Sequence, residues 1–462
     1  MIRWTRSRRA LVALLGVVTL ASGTALAHGG SLRGQAETLT IPTWLFLLTG
    51  GAAVGASFLL ATLVTDRRWI ATIDDWQRFL GRVPAAIRTY LAPAVGLVGL
   101  AVILGFGFFA PTLGLDAPLR NLAVLLVWVG WWAGYTMSVY LVGNTWPALN
   151  PFRTLARVLP TRGRSYPTDA GAWPAVLGLL ALVYVEVVTP LADDPQLLAG
   201  VVAVYGVLTL AGAVTFGHET WFARADPVSR VFQAYGRVAP LARTDDGLRL
   251  RVPGMALSDA SEHRGPGEVA FVVALLWGTT FDGFVTTPAW GDFARAAVAA
   301  GVPALLVYLL TYLLGFGVFL GAYLLAAQLA RRTGDTYLTA RELACRFAPP
   351  LLAIAAGYHL AHYLGYFVSL SLPLGSALAN PLSPPLNPQQ FVLPSWIAGL
   401  SLAFVLLGHL LAIWVAHAAA YDLFPSRLQA VRSQYPFIAV MVLYTMVSLW
   451  VVAEPNQLPP FL

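Results

Sequence analysis

The sequence is poor in charged residues and contains almost no cysteine. Only 11% of its 462 residues are charged and 58% are hydrophobic, whereas a soluble domain carries about 25% charged residues. This balance excludes an ordinary soluble globular protein. The single cysteine, Cys345, excludes an internal disulfide and any zinc or iron–sulfur site built from several cysteines. Lysine is absent, so all 29 basic side chains are arginines.

Several functional motifs are also absent. The sequence has no glycine-rich phosphate-binding motif of the Walker type, no coiled-coil heptads and no repeat of fixed period, which argues against an ATP-driven pump. The formal charge is +7, but the arginines lie in short connecting loops instead of on one soluble face. We therefore expect no nucleic-acid partner.

The first 27 residues have the pattern of a signal peptide. Four arginines precede an apolar run from Ala10 to Ala21, and an Ala-x-Ala cleavage site ends at Ala27. An uncleaved first span is the alternative. Cleavage would leave His28 at the N-terminus, where its α-amine and imidazole form a nitrogen pair that suits copper. A chance occurrence is the simpler interpretation of His28.

Ten apolar segments follow, each long enough to cross a hydrocarbon core about 30 Å thick. They cover residues 43–65, 91–113, 121–143, 173–192, 196–216, 268–287, 300–328, 349–372, 393–418 and 435–453. With a secreted N-terminus, alternate loops lie inside the cell and should carry the arginines. The five predicted inner loops contain 22 arginines, against three in the outer segments. The asymmetry predicts a multi-pass plasma-membrane protein with both mature ends outside.

The longer connections have patterns of their own. The predicted inner loop 217–267 is too short and too polar for a separate domain, and its aromatic residues alternate with arginines as in an interfacial helix; they include Trp221, Phe222 and Phe232. Residues 69–82 have a similar spacing. The predicted outer loop 373–393 contains five prolines and no charge, which predicts a stiff, irregular cover. Residues 28–462 are thus expected to form a single transmembrane domain.

Few ionisable side chains lie inside the predicted spans. Placing one in hydrocarbon costs at least about 2.5 kcal/mol, so each needs a partner, a water-filled cavity or a function. The main ones are Glu186, Asp282, His359, His362 and His409. At a rise of about 1.5 Å per residue, Glu186, Asp282 and His362 lie at a similar depth. His359 lies one turn lower, and His409 lies nearer the inner surface.

These residue types suit a metal-dependent reaction. Two imidazoles on one helical turn and a carboxylate from another helix form a ligand set for Zn²⁺, Mn²⁺ or Fe²⁺, here Asp282, His359 and His362. Such a metal would activate a water molecule for attack on an ester, and Glu186 or His409 would move the proton.

Two other interpretations of the same residues stay open. The groups can hydrogen-bond to one another and determine how the helices pack, or they can form a path for protons or ions. Tyr363 and Tyr366 extend the face of the helix that carries the two histidines, so this face is not expected to meet lipid. Trp128, Trp131 and Trp132 in the third span are expected to fill the core or to line a cavity for an apolar ligand.

Short motifs in the sequence resemble those of one membrane-protein family. They are Ile41-Pro42-x-Trp44-Leu45-Phe46, Trp221-Phe222, Asp226-Pro227, Gly236-Arg237-Val238-Ala239-Pro240, Phe281-Asp282-Gly283, Ala361-His362-Tyr363, Gly408-His409-Leu410 and Ala416-His417. With the Ala-His-Gly start, they are similar to a group of bacterial and archaeal proteins named after fenitrothion hydrolase. The resemblance implies hydrolysis of an organophosphate-type ester and supports Asp282, His362 and His409 as residues to test. Where that family has a charged residue after the Ala-His motif, this chain has Ala418, which weakens a role for His417.

The sequence therefore predicts an all-α, polytopic bundle of about ten spans whose environment is the lipid bilayer. The leading functional hypothesis is a metal-dependent hydrolase that acts on a small ester. The second is a transporter or channel that uses the same polar residues for ions or protons, and the third is a non-catalytic assembly protein. Many transporters have two related halves, and the sequence contains no such pairing.

Overall fold

A computed structural model describes residues 43–259, 265–394, 396–454 and 457–462. The predicted signal peptide (1–27) and His28 lie outside the described residues.

Helices make up most of the described chain. Numbered in chain order, they are α1 (Thr43–Ala61), α2 (Arg67–Asp74), α3 (Ile87–Phe108), α4 (Ala110–Leu113), α5 (Leu122–Leu141), α6 (Trp146–Leu149), α7 (Pro151–Ala156), α8 (Trp173–Val188), α9 (Pro195–Phe216), α10 (His218–Arg224), α11 (Pro227–Gly236), α12 (Pro266–Phe284), α13 (Pro288–Ala299), α14 (Ala304–Thr333), α15 (Ala340–Phe347), α16 (Leu351–Ala379), α17 (Trp396–Leu423) and α18 (Arg427–Ala453). The first turn of α3 (Ile87–Leu91) and the middle of α5 (Leu126–Tyr135) are π-helical. Short 3₁₀ turns lie at Pro118–Arg120, Thr168–Ala170 and Met255–Leu257.

Each of the ten predicted spans coincides with an apolar helix. Eight helices are long and apolar enough to cross a membrane, namely α3, α5, α9, α12, α14, α16, α17 and α18. Two shorter apolar helices lie at α1 and α8. A multi-pass, all-helical membrane bundle accounts for this arrangement, because a helix satisfies its own backbone hydrogen bonds in lipid.

Several helices begin where local chemistry predicts. The side chains of Asn121, Asp194 and Asp226 accept hydrogen bonds from backbone N–H groups in the first turns of α5, α9 and α11. In α9 and α11 the next residue is proline, whose missing N–H costs nothing at that position. The Asp-Pro pairs therefore mark where these two helices begin.

A small antiparallel sheet joins two of the predicted inner loops. Strands β1 (Gln77–Gly81) and β2 (Leu241–Thr244) both pair with β3 (Gly247–Arg251). Leu250 lies opposite Arg78 on one side and opposite Leu241 on the other. The prediction of one interfacial helix over 69–82 is therefore wrong after residue 74, because the backbone of β1 pairs with a strand distant in the sequence.

Within the predicted inner loop 217–267, the two helices α10 and α11 pack against the bundle. Phe222, Val231 and Phe232 on α10 and α11 are almost completely buried. Trp221 stacks on Phe216, with parallel rings 6.1 Å apart. The structure thus has two short helices where one was expected, and their apolar faces contact neighbouring elements of the protein.

The proline-rich segment also starts differently from the prediction. Helix α16 continues through Pro373 to Ala379, so the irregular part begins only at residue 380. A proline inside a transmembrane helix is tolerated when neighbouring groups satisfy the freed backbone carbonyl. The irregular connection expected over 373–393 is therefore confined to its later part.

The packing is tightest around α12 and between α16 and α17. In the apolar segment of α12, 83% of the residues are buried inside the protein, against 11% in α3. Helix α12 is therefore central and α3 peripheral. Helices α16 and α17 cross closely at Gly357 and Gly408. A Cβ atom on Gly357 would lie 2.6 Å from the carbonyl oxygen of Phe404, and one on Gly408 would lie 2.7 Å from that of Ala353. Small residues permit this approach of two helix backbones.

The arginine-bearing loops meet at one end of the bundle. A single wide cavity there is lined by residues from all five predicted inner loops, including Arg88, Asn144, Arg243, Arg341 and Asp422. These loops come from separate parts of the sequence. Their meeting at one end agrees with the prediction that every second loop lies on the same side of the membrane.

Candidate functional site

A large apolar cavity lies between α3, α5, α8, α9, α12 and α16. Its volume is about 700 Å³. The lining extends from Trp146 and Phe152, near the predicted inner ends of the helices, to Leu191 and Leu378, near the predicted outer ends. Most lining groups are apolar, which favours a ligand with an apolar body.

Two carboxylic acids from adjacent helices line this cavity. They are Glu186 on α8 and Asp282 on α12, and each lies two residues before the last residue of its helix. Ala274, another lining residue, lies about 12 Å along α12 on the predicted inner side of Asp282. On α16, Leu378 lies about 22 Å on the predicted outer side of Tyr363. The acids are therefore in the middle part of the cavity.

Asp282 contacts both a histidine and a tyrosine of α16. Nε2 of His362 lies 3.8 Å from Oδ2 of Asp282, and the hydroxyl of Tyr363 donates a hydrogen bond to the same oxygen at 3.4 Å. The side chain of His362 is 39% exposed, whereas that of Asp282 is 9% exposed. The pair thus joins a buried acid to an accessible imidazole, an arrangement through which a proton can pass.

Glu186 interacts with the same group of side chains. Its carboxyl acts electrostatically on the hydroxyls of Tyr312, Tyr363 and Tyr366. The rings of Tyr363 and Tyr366 meet edge to face, 6.0 Å apart. Tyr363 therefore interacts with both acids, and the two tyrosines predicted to extend the histidine face belong to the site.

His359 faces away from Asp282, into an aromatic enclosure. Its ring packs against Trp132, Tyr140, Tyr235 and Tyr363, with centroids 4.5 to 5.9 Å away. Nδ1 shares a hydrogen bond of 3.0 Å with the hydroxyl of Tyr140. Nε2 forms no hydrogen bond of acceptable geometry among the described residues. The imidazole is completely buried, so its surroundings are those of a core residue.

The side chains that the structure describes do not fit the predicted metal site. Asp282 and His362 come together, but His359, the third predicted ligand, is held by Tyr140. Across the described ranges, no group of three or more histidine, cysteine, aspartate or glutamate side chains is placed to hold a metal ion. Two protein ligands are fewer than a zinc site requires.

His409 and His417 lie in separate surroundings. Nδ1 of His409 donates a hydrogen bond to the carbonyl of Val405, one turn earlier on α17. His417 donates from Nε2 to the carbonyl of Val64 and accepts a hydrogen bond from Gln434 at Nδ1. His409, which was predicted to move protons, is thus bonded to its own helix, and His417 connects three parts of the bundle.

Helix α5 contributes three tryptophans that the sequence analysis named and one tyrosine that it did not. Its ten-residue π-helical stretch carries Trp128, Trp131 and Trp132, all of which line the cavity. Such departures from α-helical geometry are frequent at functional sites. Tyr140, the partner of His359, follows on the same element. The three tryptophans near mid-span were a visible signal, but nothing local pointed to Tyr140.

Asp226 forms a second buried polar network. It is completely buried and accepts hydrogen bonds from the hydroxyls of Tyr205 and Thr209 and from the backbone N–H of Ser229. The indole of Trp221 donates in turn to Thr209. The Trp221-Phe222 and Asp226-Pro227 motifs therefore attach α10 and α11 to α9.

Compared with known protein families, curated proteins and solved structures, the chain has no match. The resemblance to the fenitrothion hydrolase group stays a prediction based on short motifs.

Proposed function

We propose that this chain is a membrane transporter that binds a small ligand with an apolar body and a positive charge, or a proton, in the cavity of about 700 Å³. The observation that supports this function is one cavity that reaches towards both ends of the helices and carries two acids in its middle. Its membrane would be the plasma membrane, with both mature ends outside.

The shape of the cavity suits translocation. Lining residues lie near both predicted membrane surfaces, from Phe152 to Leu378. One side is α3, few of whose residues are buried inside the protein. Binding sites near the bilayer midplane are typical of secondary transporters.

The chemistry of the lining suits a cation. Glu186 and Asp282 are acidic, and the lining residues of the described chain include no arginine or lysine. The aromatic rings of Trp128, Trp131 and Trp132 also line the cavity, and the faces of indole rings attract cations. A ligand with both properties would contact the rings and the acids together.

Asp282, His362 and Tyr363 would carry the exchangeable proton. The imidazole is accessible and lies 3.8 Å from the acid, and the tyrosine hydroxyl donates to the same oxygen. Entry of a cation beside Asp282 favours the ionised carboxylate and releases its proton. Exchange of a proton for a cation follows from this arrangement.

Binding of tetraphenylphosphonium, an apolar cation, to the purified protein tests the proposal. We expect E186Q and D282N each to weaken binding about tenfold or more, equivalent to about 1.4 kcal/mol. D292N is the matched control, because Asp292 is exposed and pairs with Arg295 on α13, away from the cavity lining. Equal binding by all four proteins, or no binding by the wild type, would contradict the proposal.

A hydrolase is the second candidate, and the contact between Asp282 and His362 favours it. An accessible imidazole oriented by a carboxylate is the arrangement of a general base. The test is release of 4-nitrophenol from diethyl 4-nitrophenyl phosphate, with H362N as the inactive variant and H359N as a comparison. Elemental analysis of wild type and a D282A/H362A variant tests the predicted metal separately. Absence of both turnover and cation binding would leave the packing interpretation.

A further inference from the structure

A second, wider cavity lies where the five arginine-bearing loops meet. Its volume is about 1570 Å³, and seven arginines and five acids contribute to its lining. It is separate from the apolar cavity in its chemistry, since charged and polar groups form much of its wall.

Four of the seven arginines already have partners within the protein. Arg230 pairs with Glu268 and Arg346 with Asp422. Arg237 and Arg251 donate to backbone carbonyls of the same segment. These four stabilise the fold of the loops.

The other three arginines are Arg88, Arg243 and Arg341. Each is exposed at the cavity wall, and the structure shows no hydrogen bond or ion pair to any of their guanidinium groups among the described residues. They come from three different loops, so only the tertiary fold brings them to one cavity.

Arg88 and Arg243 repel each other. Desolvation and the neighbouring charge of Arg88 lower the pKa of Arg243. Two guanidinium groups that line the same cavity are stabilised when an anion binds between them.

We propose that this cavity binds a phosphate group through Arg88 and Arg243, with Arg341 contributing from a third loop. Guanidinium groups match the geometry of phosphate oxygens with paired hydrogen bonds. The phosphate belongs either to a soluble compound or to a phospholipid headgroup. Val83 and Ile87, which line the same cavity next to Arg88, lie on an exposed apolar segment that gives a lipid access.

Titration calorimetry with inorganic phosphate tests the soluble source. The full chain is purified in uncharged detergent, and the ionic strength is held constant with chloride. We expect wild-type binding that is at least about tenfold weaker in R88Q/R243Q, because both charges are lost. R341Q is an independent second variant, for which we expect a smaller loss.

The lipid source is tested in nanodiscs of phosphatidylcholine with added phosphatidylglycerol. Native mass spectrometry then counts the phosphatidylglycerol molecules that stay with the protein. Retention by wild type and loss in R88Q/R243Q would assign the phosphate to a headgroup, and phosphate binding without retained lipid would assign it to a soluble compound.

R331Q/R332Q is the matched control for both measurements. It removes two charges from the same predicted side of the membrane, at exposed positions outside the cavity lining. The proposal is overturned if neither phosphate nor phosphatidylglycerol binds, or if R88Q/R243Q binds as well as this control. Its outcome is independent of cation binding in the apolar cavity.

Discussion

His359 and His362 lie three residues apart on α16 but have opposite surroundings. His359 is completely buried among aromatic rings and bonded to Tyr140, whereas the side chain of His362 is 39% exposed beside Asp282. Their helical spacing alone led to the prediction that both bind one metal ion. The difference arises from the neighbours of each ring, which come mainly from α5 and α11 for His359 and include Asp282 of α12 for His362.

Substitution should separate their roles. We expect H359A to lower the free energy of unfolding by about 2 kcal/mol or more, because it empties an aromatic enclosure and leaves the Tyr140 hydroxyl unpaired. H362A should change it by less than about 0.5 kcal/mol, since the side chain is accessible. Unfolding of the two purified variants in the same detergent measures both values. Equal losses would show that His362 also has a structural role.

Asp74, at the end of α2, should make stability depend on pH. Burial raises the pKa of its carboxyl above the ordinary value of 3.8, although Ser258 donates a hydrogen bond to it. The folded state therefore binds the proton more tightly than the unfolded state, so stability falls as the pH rises through the folded pKa.

We expect D74N to be more stable than wild type at pH 7, because the amide carries no charge and still accepts from Ser258. The gain should disappear below pH 3.8, where wild-type Asp74 is protonated in both states. Melting temperatures across this range test the expectation. D292N, at an exposed acid of α13 that pairs with Arg295, is the control. A gain that is independent of pH would contradict it.

At the scale of elements, apolar length predicted where helices lie but not how they pack. The segment around Gly357 is apolar enough to predict a membrane-spanning helix, whichever helix packs against it. Its close approach to α17 depends on Gly408, more than fifty residues later. The strand at 77–81 escaped prediction for the same reason, since its partner β3 belongs to a distant loop, whereas β2 and β3 form a local hairpin that the sequence analysis did not identify.

Replacing Gly357 by alanine should push α16 and α17 apart. The new Cβ atom would lie 2.6 Å from the carbonyl of Phe404, and overpacking of this kind costs about 1–3 kcal/mol. G375A is the matched control on the same helix, because no atom lies within 4 Å of that position. Alanine there should be neutral or slightly stabilising. Similar melting temperatures of the two variants would refute the close crossing.

The predicted topology of the whole molecule can be tested by labelling single introduced cysteines. This is practical because Cys345 is the only native cysteine. In a C345S background, Y337C lies in a predicted inner loop and L386C in the predicted outer segment. Both native side chains are well exposed. We expect an impermeant maleimide to label L386C in intact cells and Y337C only after the cells are broken. The reverse pattern would invert the topology, and labelling of both positions in intact cells would mean an even number of crossings between them.

The sequence by itself determined the positions of the helices, the clustering of arginines in alternate loops, and the common depth of Asp282 and His362. These properties depend on hydrocarbon thickness, charge and helical rise, which act on each segment separately.

Only the tertiary structure decided which faces meet. It directs His359 to Tyr140, brings Glu186 and Asp282 to one apolar cavity, and collects Arg88, Arg243 and Arg341 at another. Each of these outcomes depends on the rotation of a helix about its axis and on partners far away in the chain. Apolar periodicity carries little of that information when a helix is apolar on every side.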